Sequence, residues 1–400
     1  MLAPFNSPSL ILIETSDDVI YFDNAATTQP YPEALATYQQ VATKIFGNPS
    51  SLHGLGGQAT RLLEASRRQI AELLGCLPEE IFFTSGGTES DNWAIKGTAL
   101  EKSSFGKHLI VSSVEHPAVR TSAKWLETLG FEVSYAPVDK AGLIDLSALS
   151  TLIRPDTILV SVMAVNNEIG AIQPISAISD LLADKPGITF HVDAVQAVGK
   201  RDMADVLTDR VDLASFSSHK FHGLRGVGWL YKKSGKRIAP LLTGGGQESD
   251  LRSTTENLPA IAATAKALRL TLENDHDQRV KVRAMRDVLH SALSQFEDVR
   301  LFSGTDERFS PSIITFGIKG VRGEVTVHAF EEHEIYLSTT SACSSKAGQP
   351  AGTLIAMGVP VRDAQTAVRI SLDTHNDMGQ VEQFLTIFKQ IYDKTKKVRR

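Results

Sequence analysis

Four hundred residues, 42% hydrophobic and with 29 glycines, can bury a large core and fold as two or three domains of ordinary size. A net charge of −5, with no stretch mixing basic and aromatic side chains, argues against a nucleic-acid surface. The chain has no run of about 18 apolar residues to span a membrane, and its two cysteines cannot build a disulfide framework, so a reduced, cytoplasmic setting is expected.

The opening MLAPFNSPSLILIETSDD lacks the basic start and long apolar centre of a signal peptide. From about residue 55, short apolar runs alternate with helical patterns. Strands are predicted at IFFT (81–84), HLIVSS (108–113), EVSYAPV (132–138), TILVSVM (157–163), ITFHV (188–192), LASFSS (213–218) and GVGWLY (226–231). Helical periodicity fills most of the gaps, as in SLHGLGGQATRLLEASRRQIAELLG and ISAISDLLADK. Continuously apolar strands between helices predict an α/β fold with a mostly parallel seven-stranded sheet, covered on both faces. Sites in such sheets gather at the carboxyl ends of the strands. From about 261 the pattern changes to one long helix, strands near 312–317 and 366–372, and a closing helix near 378–395. A large domain over 21–260 is expected beside a smaller α+β domain made of 1–20 and 261–400. The final KTKKVRR reads as a solvated basic tail.

Four stretches could carry chemistry. In FFTSGGTESDNWAIKG a strand ends in Ser-Gly-Gly-Thr and a helix begins at once, so Gly86, Gly87 and Thr88 could cradle a phosphate. An ordinary capped turn fits those residues equally well. Asp193, at the end of the ITFHV strand, needs a cationic partner if it is buried. A protonated pyridine nitrogen is one such partner and a structural ion pair is another. Lys220, in SSHKFHGLRGVG, ends the next strand, where an amine could form a Schiff base or simply reach water. His116, in SVEHPAV, could lie flat over a ring or be an ordinary loop histidine.

Of the two cysteines, Cys343 lies among small, turn-prone residues (SACSS) where a thiol can react, whereas Cys76 follows an apolar helix face and reads as packing. GLGGQA lacks the preceding strand a dinucleotide fingerprint requires. HKFH and HAFEEH space their histidines without a third ligand, so no metal site is expected.

Eleven stretches then fall in one order: YFDNAATT, FGNPSSLH, FTSGGTESDN, VEHPAV, VNNEIGAIQP, FHVDAVQAVGK, SFSSHK, GGGQE, TTENLP, SACSS and AVRISL, between residues 21 and 372. In that order the chain resembles the cysteine desulfurases, pyridoxal 5'-phosphate enzymes of fold type I in the class V aminotransferase group. Its cysteine loop is similar to that of the long-loop class. The resemblance implies Lys220 as the Schiff-base lysine. It implies phosphate contacts from Thr88, Ser217 and His219 with the Gly86–Gly87 backbone. His116 would stack on the ring, Asp193 would pair with its nitrogen and Gln196 with its phenolic oxygen. Asn167 and Arg369 would orient the substrate, and Thr255 would reach the phosphate of a second subunit, implying a homodimer.

The implied reaction takes L-cysteine to L-alanine. Cys343 captures the sulfur as a persulfide and passes it to a thiol acceptor, such as an iron–sulfur scaffold or a tRNA-thiolating enzyme. A lyase or aminotransferase of the same fold would use Lys220 and Asp193 without Cys343. The chain departs from the family at Thr254 and Thr340, where Gly is common, and at His222 and Leu224-Arg225, where an aromatic and Pro-Lys are. It departs again at Asp373, where Gly is usual, which would put an acid near Arg369.

Overall fold

The computed structural model describes residues 19–273, 275–340 and 352–398. β1 (Ile20–Tyr21) is a short strand of the smaller unit. The large sheet uses β2 (Ile81–Thr84), β3 (His108–Ser112), β4 (Glu132–Ala136), β5 (Thr157–Ser161), β6 (Thr189–Asp193), β7 (Leu213–Ser217) and β8 (Gly228–Lys232). Its order is β2-β8-β7-β6-β5-β3-β4. Only β8 runs antiparallel to its neighbours, so the expected mostly parallel seven-stranded sheet is present.

β5 and β6 are buried along their whole length, which is why their sequences lack the polar alternation of a half-exposed strand. Helices α1 (Pro32–Lys44) and α2 (Gly54–Leu74) cover one face, α3 (Gly87–Glu101) and α4 (Pro117–Glu127) the other. α2 stops at Gly75, whose φ of 71° is the left-handed conformation that glycine adopts without a Cβ clash. Short helices α5 (Leu146–Leu152), α6 (Ile175–Leu181) and α7 (Met203–Val206) fill the crossovers.

The single long helix expected from 261 is instead two, α8 (Leu258–Leu272) and α9 (Asp275–Leu293). Ala263, Ala267 and Leu268 of α8 join the core of the large sheet, with α8 packed on α1 and α2. Met285 and Leu289 of α9 join the other core. A boundary at 260/261 therefore cuts through α8, and the two cores part at the α8–α9 junction. Helical period alone could not find this break, because the apolar stripe resumes on the far side.

The smaller unit pairs β10 (Ile313–Ile318) with β9 (Val299–Leu301) and β13 (Ala367–Ser371), and β12 (Ser338–Thr339) with β13. β11 (Ile335–Tyr336) pairs with β1. The closing helix Met378–Val398 buries Phe384 and Phe388 against this sheet. Among the described residues no helix is long and apolar enough to cross a membrane.

Candidate active site

A cavity of about 580 Å³ opens where β6 and β7 end and α3 begins. Gly86, Gly87, Thr88, His116, Asn167, Asp193, Gln196, Ser217, His219, Lys220 and Arg369 all line it. Residues up to 283 positions apart in the chain (369 minus 86) thus share one wall. Thr255 is exposed and is not among the lining residues, and Cys343 lies outside the described residues. Thr340, the last described residue before it, lines the cavity.

α3 starts at Gly86 with no side-chain cap, so its first N–H groups face the cavity as the partial positive end of a helix. Gly86 holds φ at 149°, and a Cβ there would stand 3.4 Å from Ser217 Oγ. At Gly87 a Cβ would come within 2.5 Å of Val195 Cγ2. Both glycines are therefore fixed by geometry rather than by a need for a loose turn. Opposite them, His219 Nδ1 meets Thr27 Oγ1 at 3.1 Å. Burial, helped by Lys220, Arg225 and Lys200, pushes His219 down to about 4, so its imidazole is neutral at pH 7.

Lys220 donates from Nζ to the carbonyls of Ala25 and Ala26, each at 2.8 Å. Gln196 is buried, donates to the Ala25 carbonyl at 2.8 Å and accepts from Lys200. His116 caps α4, its Nδ1 accepting from the Ala118 N–H at 3.1 Å, which leaves the ring proton of the neutral form on Nε2. Burial lowers its basicity, with Asp193 opposing and Lys220 adding to the shift.

Asp193 is buried and accepts the Val195 N–H at 3.0 Å. Burial raises its carboxyl, and His116, that N–H and Lys220 all oppose the rise. Asp91 and Glu115 lie beneath, and burial followed by the Asp193 charge pushes both far above the carboxylate range. Asp91 Oδ1 and Glu115 Oε2 accept no hydrogen bond, whereas Asp193 has donors and cations around it. Of the three acids, Asp193 is the one that faces both His116 and Lys220, which favour its charged form.

Arg369 is buried in β13, with Nη1 on the Asn167 carbonyl and Nη2 on Asp23 Oδ1, both at 2.8 Å. Its Nε has no acceptor. The acid beside Arg369 is thus Asp23 and not Asp373, as the departure from the family pattern had suggested. Asp373 turns to His222 and His375 instead. Sequence reasoning quoted the YFDNAATT stretch without giving Asp23 a role, and it passed over Asp91, Glu115 and Lys200. Asp91, in TESDN, had a usable signal: a carboxylate on a helix that is buried nearly all round.

The class-V aminotransferase family model matches residues 20–384. The chain belongs to this family. A Lactobacillus delbrueckii protein described as a NifS/IcsS protein homolog is 53% identical over 95% of this chain and 99% of its own length. A Methanosarcina thermophila protein named cysteine desulfurase IscS is 40% identical over 96% and 94%. A solved NifS-like protein superimposes with a TM-score of 0.88 at 37% identity, covering 94% of this chain and 99% of that one.

The family implies pyridoxal phosphate, and the cavity passes a test for it. A Cβ at Gly86 would project beside Ser217 Oγ, where the cradle is, and the buried Asp193 carboxyl lines the same cavity. Gly86→Ala should therefore weaken cofactor retention about 5- to 150-fold, the equivalent of ~1–3 kcal/mol of backbone strain. Fluorescence titration of the cofactor-free protein measures this, with an unchanged melting temperature as the control for folding.

Proposed function

We infer that the protein is a cysteine desulfurase, converting L-cysteine to L-alanine and holding the sulfur as a persulfide on Cys343. The observation that carries this reading is one cavity lined by Lys220, Asp193, His116, the Gly86–Thr88 turn and Arg369, in a chain whose relatives bear that name. Pyridoxal phosphate would supply an electron sink for the substrate amino acid. Its phosphate would rest on the Gly86–Gly87 backbone, Thr88, Ser217 and His219, and its ring between His116 and the Asp193 carboxylate. Gln196 would face the phenolic oxygen.

The chain's own groups supply the rest. Lys220 would anchor the cofactor and then, as a free amine, take the substrate's α-proton on Nζ. Arg369, fixed by Asp23 and the Asn167 carbonyl, would grip the α-carboxylate, with Asn167 beside it. Cys343 follows Thr340 by three residues, a tether of at most about 11 Å from the cavity wall. Its thiolate would attack the substrate sulfur: the new S–S bond forms as the carbon–sulfur bond breaks, and the product carbon is protonated to alanine. A thiol acceptor in iron–sulfur assembly or tRNA thiolation would then take the sulfur. Thr255, exposed on a loop, is proposed to serve the phosphate site of a second copy, making a homodimer. A cytoplasmic setting belongs to the same proposal, as do a large and a small domain, their boundary moved from 260/261 to the α8–α9 junction.

The deciding experiment is an assay of alanine and enzyme-bound persulfide from L-cysteine. Equal yields are expected; sulfide with pyruvate, or transamination products, would make the protein a lyase or aminotransferase of the same fold. Arg369→Ala should raise KM for cysteine roughly ten- to a hundredfold, from the ~1.5–3 kcal/mol of a charged hydrogen-bond pair. Initial rates check it, and an unchanged KM would remove Arg369 from substrate binding.

A further inference from the structure

His222 is the second histidine of HKFH, two residues beyond Lys220, and holds the left-handed φ of 64°. Asp373 and His375 follow β13, two and four residues after Ser371 ends it. The fold thus brings the turn that carries Lys220 against the end of the strand that carries Arg369. His222 Nδ1 lies 2.9 Å from the Gln29 carbonyl oxygen. That oxygen can only accept, so Nδ1 bears the proton and the neutral ring presents a lone pair at Nε2.

Nε2 lies 2.9 Å from Asp373 Oδ2. Oδ2 is buried and takes no hydrogen bond of good geometry, so His222 Nε2 at 2.9 Å is the polar atom it faces. A proton on Nε2, or a metal ion held between the two atoms and a third partner, would satisfy both. His375 supplies that partner. Its Nδ1 is 3.3 Å from the other carboxylate oxygen, and one ligand atom from each of the three residues lies within 4.8 Å of the others.

We propose that His222, Asp373 and His375 form a binding site for a divalent transition-metal ion of the Zn²⁺ class. Two imidazoles and one carboxylate suit such an ion better than Mg²⁺ or Ca²⁺, which prefer oxygen alone. Ligands around a tetrahedral ion stand about 3.4 Å apart, given bonds of about 2.0–2.1 Å. His375, with 55% of its side chain exposed, can swing in to close the remaining gap. The outer contacts are those of a prepared site. The Gln29 carbonyl orients His222, and the His375 N–H holds Asp373 Oδ1 at 2.6 Å. Tyr31 backs both imidazoles at centroid distances of 4.4 and 5.7 Å.

A cavity of about 40 Å³ beside His222 and Asp373 has room for a water as fourth ligand. Lys200, Lys220 and Arg279 also line it, and Lys281 sits on the Thr374 carbonyl. Arg279 is matched by Asp275, and burial brings Lys200 down to about 7. These cations oppose any divalent ion, so the affinity has to come from the two imidazoles and the Asp373 carboxylate. A bound ion would clamp the Lys220 turn to the β13 end, independently of which reaction the cavity performs.

The test dialyses the full-length holoenzyme against Zn²⁺, then a chelator-free wash, followed by metal analysis, X-ray absorption and thermal melting. About one Zn²⁺ per chain, a nitrogen/oxygen shell without sulfur near about 2.3 Å, and a melting temperature raised by excess Zn²⁺ are expected. Asp373→Gly and His222→Phe should each lose the ion and the thermal shift. His375→Ala, altering an exposed side chain, should weaken binding at least tenfold even if the buried variants fold poorly. No retained Zn²⁺, a sulfur-dominated shell from Cys76 or Cys343, or equal binding by the His375 variant would each overturn the site. A simple proton-bridged ion pair would give the first of these results.

Discussion

Lys220→Ala is expected to abolish both the visible absorption of the holoenzyme and its turnover. The parent protein should be yellow as purified, because a cofactor linked to a lysine amine absorbs in the visible. Lys220 is the group proposed for that link: its Nζ is held by two backbone carbonyls at the cavity wall, just beyond the strand next to the one bearing Asp193. The same amine is the proposed base, and loss of a positioned base alone costs about 10²–10⁴ in rate. The loss of the covalent anchor adds to that, so turnover should fall by at least about a thousandfold. Removing the amine leaves two carbonyls that the cavity's water can satisfy, so the fold should survive. Absorbance, activity and melting temperature, read on the same sample, separate the outcomes. A variant that stays yellow after borohydride, or keeps full activity, would move the anchor to another lysine.

Much of this site could be read from the chain because its parts sit on features with strong local signals. Asp193 ends a buried strand and Lys220 follows one by three residues, and a polar residue at the close of an apolar run stands out. The Gly86–Gly87 turn is legible for the same reason: only glycine tolerates that backbone at a strand–helix junction. The parts that escaped are set by tertiary approach. Asp23 reaches Arg369 across 346 positions, through the bridge of Asp23 with Ser371, and nothing local marks it. Asp373 carried a signal as a departure from the family pattern, but its partner was misassigned. Asp373 lies four residues beyond Arg369 and two beyond the end of β13, so strand alternation no longer sets its direction, and it meets His222 instead. The break between α8 and α9 escaped because both helices carry an apolar stripe, one facing each core.

The two cysteines give the sharpest division of roles. Burial, with Glu80 and Glu79 adding, pushes the Cys76 thiol up to about 12, so almost none is thiolate near neutral pH. It packs half-buried against the large core and is not among the residues that line the cavity. Cys76→Ser should therefore keep full activity and cost only stability. In the native protein at pH 8, Cys76 should also resist alkylation and label freely once denatured. Cys343→Ser should bind cofactor and still change its spectrum when L-cysteine is added, since those events need Lys220, Asp193 and the phosphate cradle but no protein thiol. A serine hydroxyl is not ionised at neutral pH and is a far poorer nucleophile toward sulfur. Alanine and persulfide should then fall together, by a factor of about 10² or more, as expected when an activated nucleophile is lost. Mass spectrometry after brief exposure to cysteine should find added sulfur on the peptide bearing Cys343 and none on that bearing Cys76. Normal alanine formation by the serine variant would instead mean that the carbon–sulfur bond breaks without a protein nucleophile, and the reaction would be that of a lyase built on the same cavity.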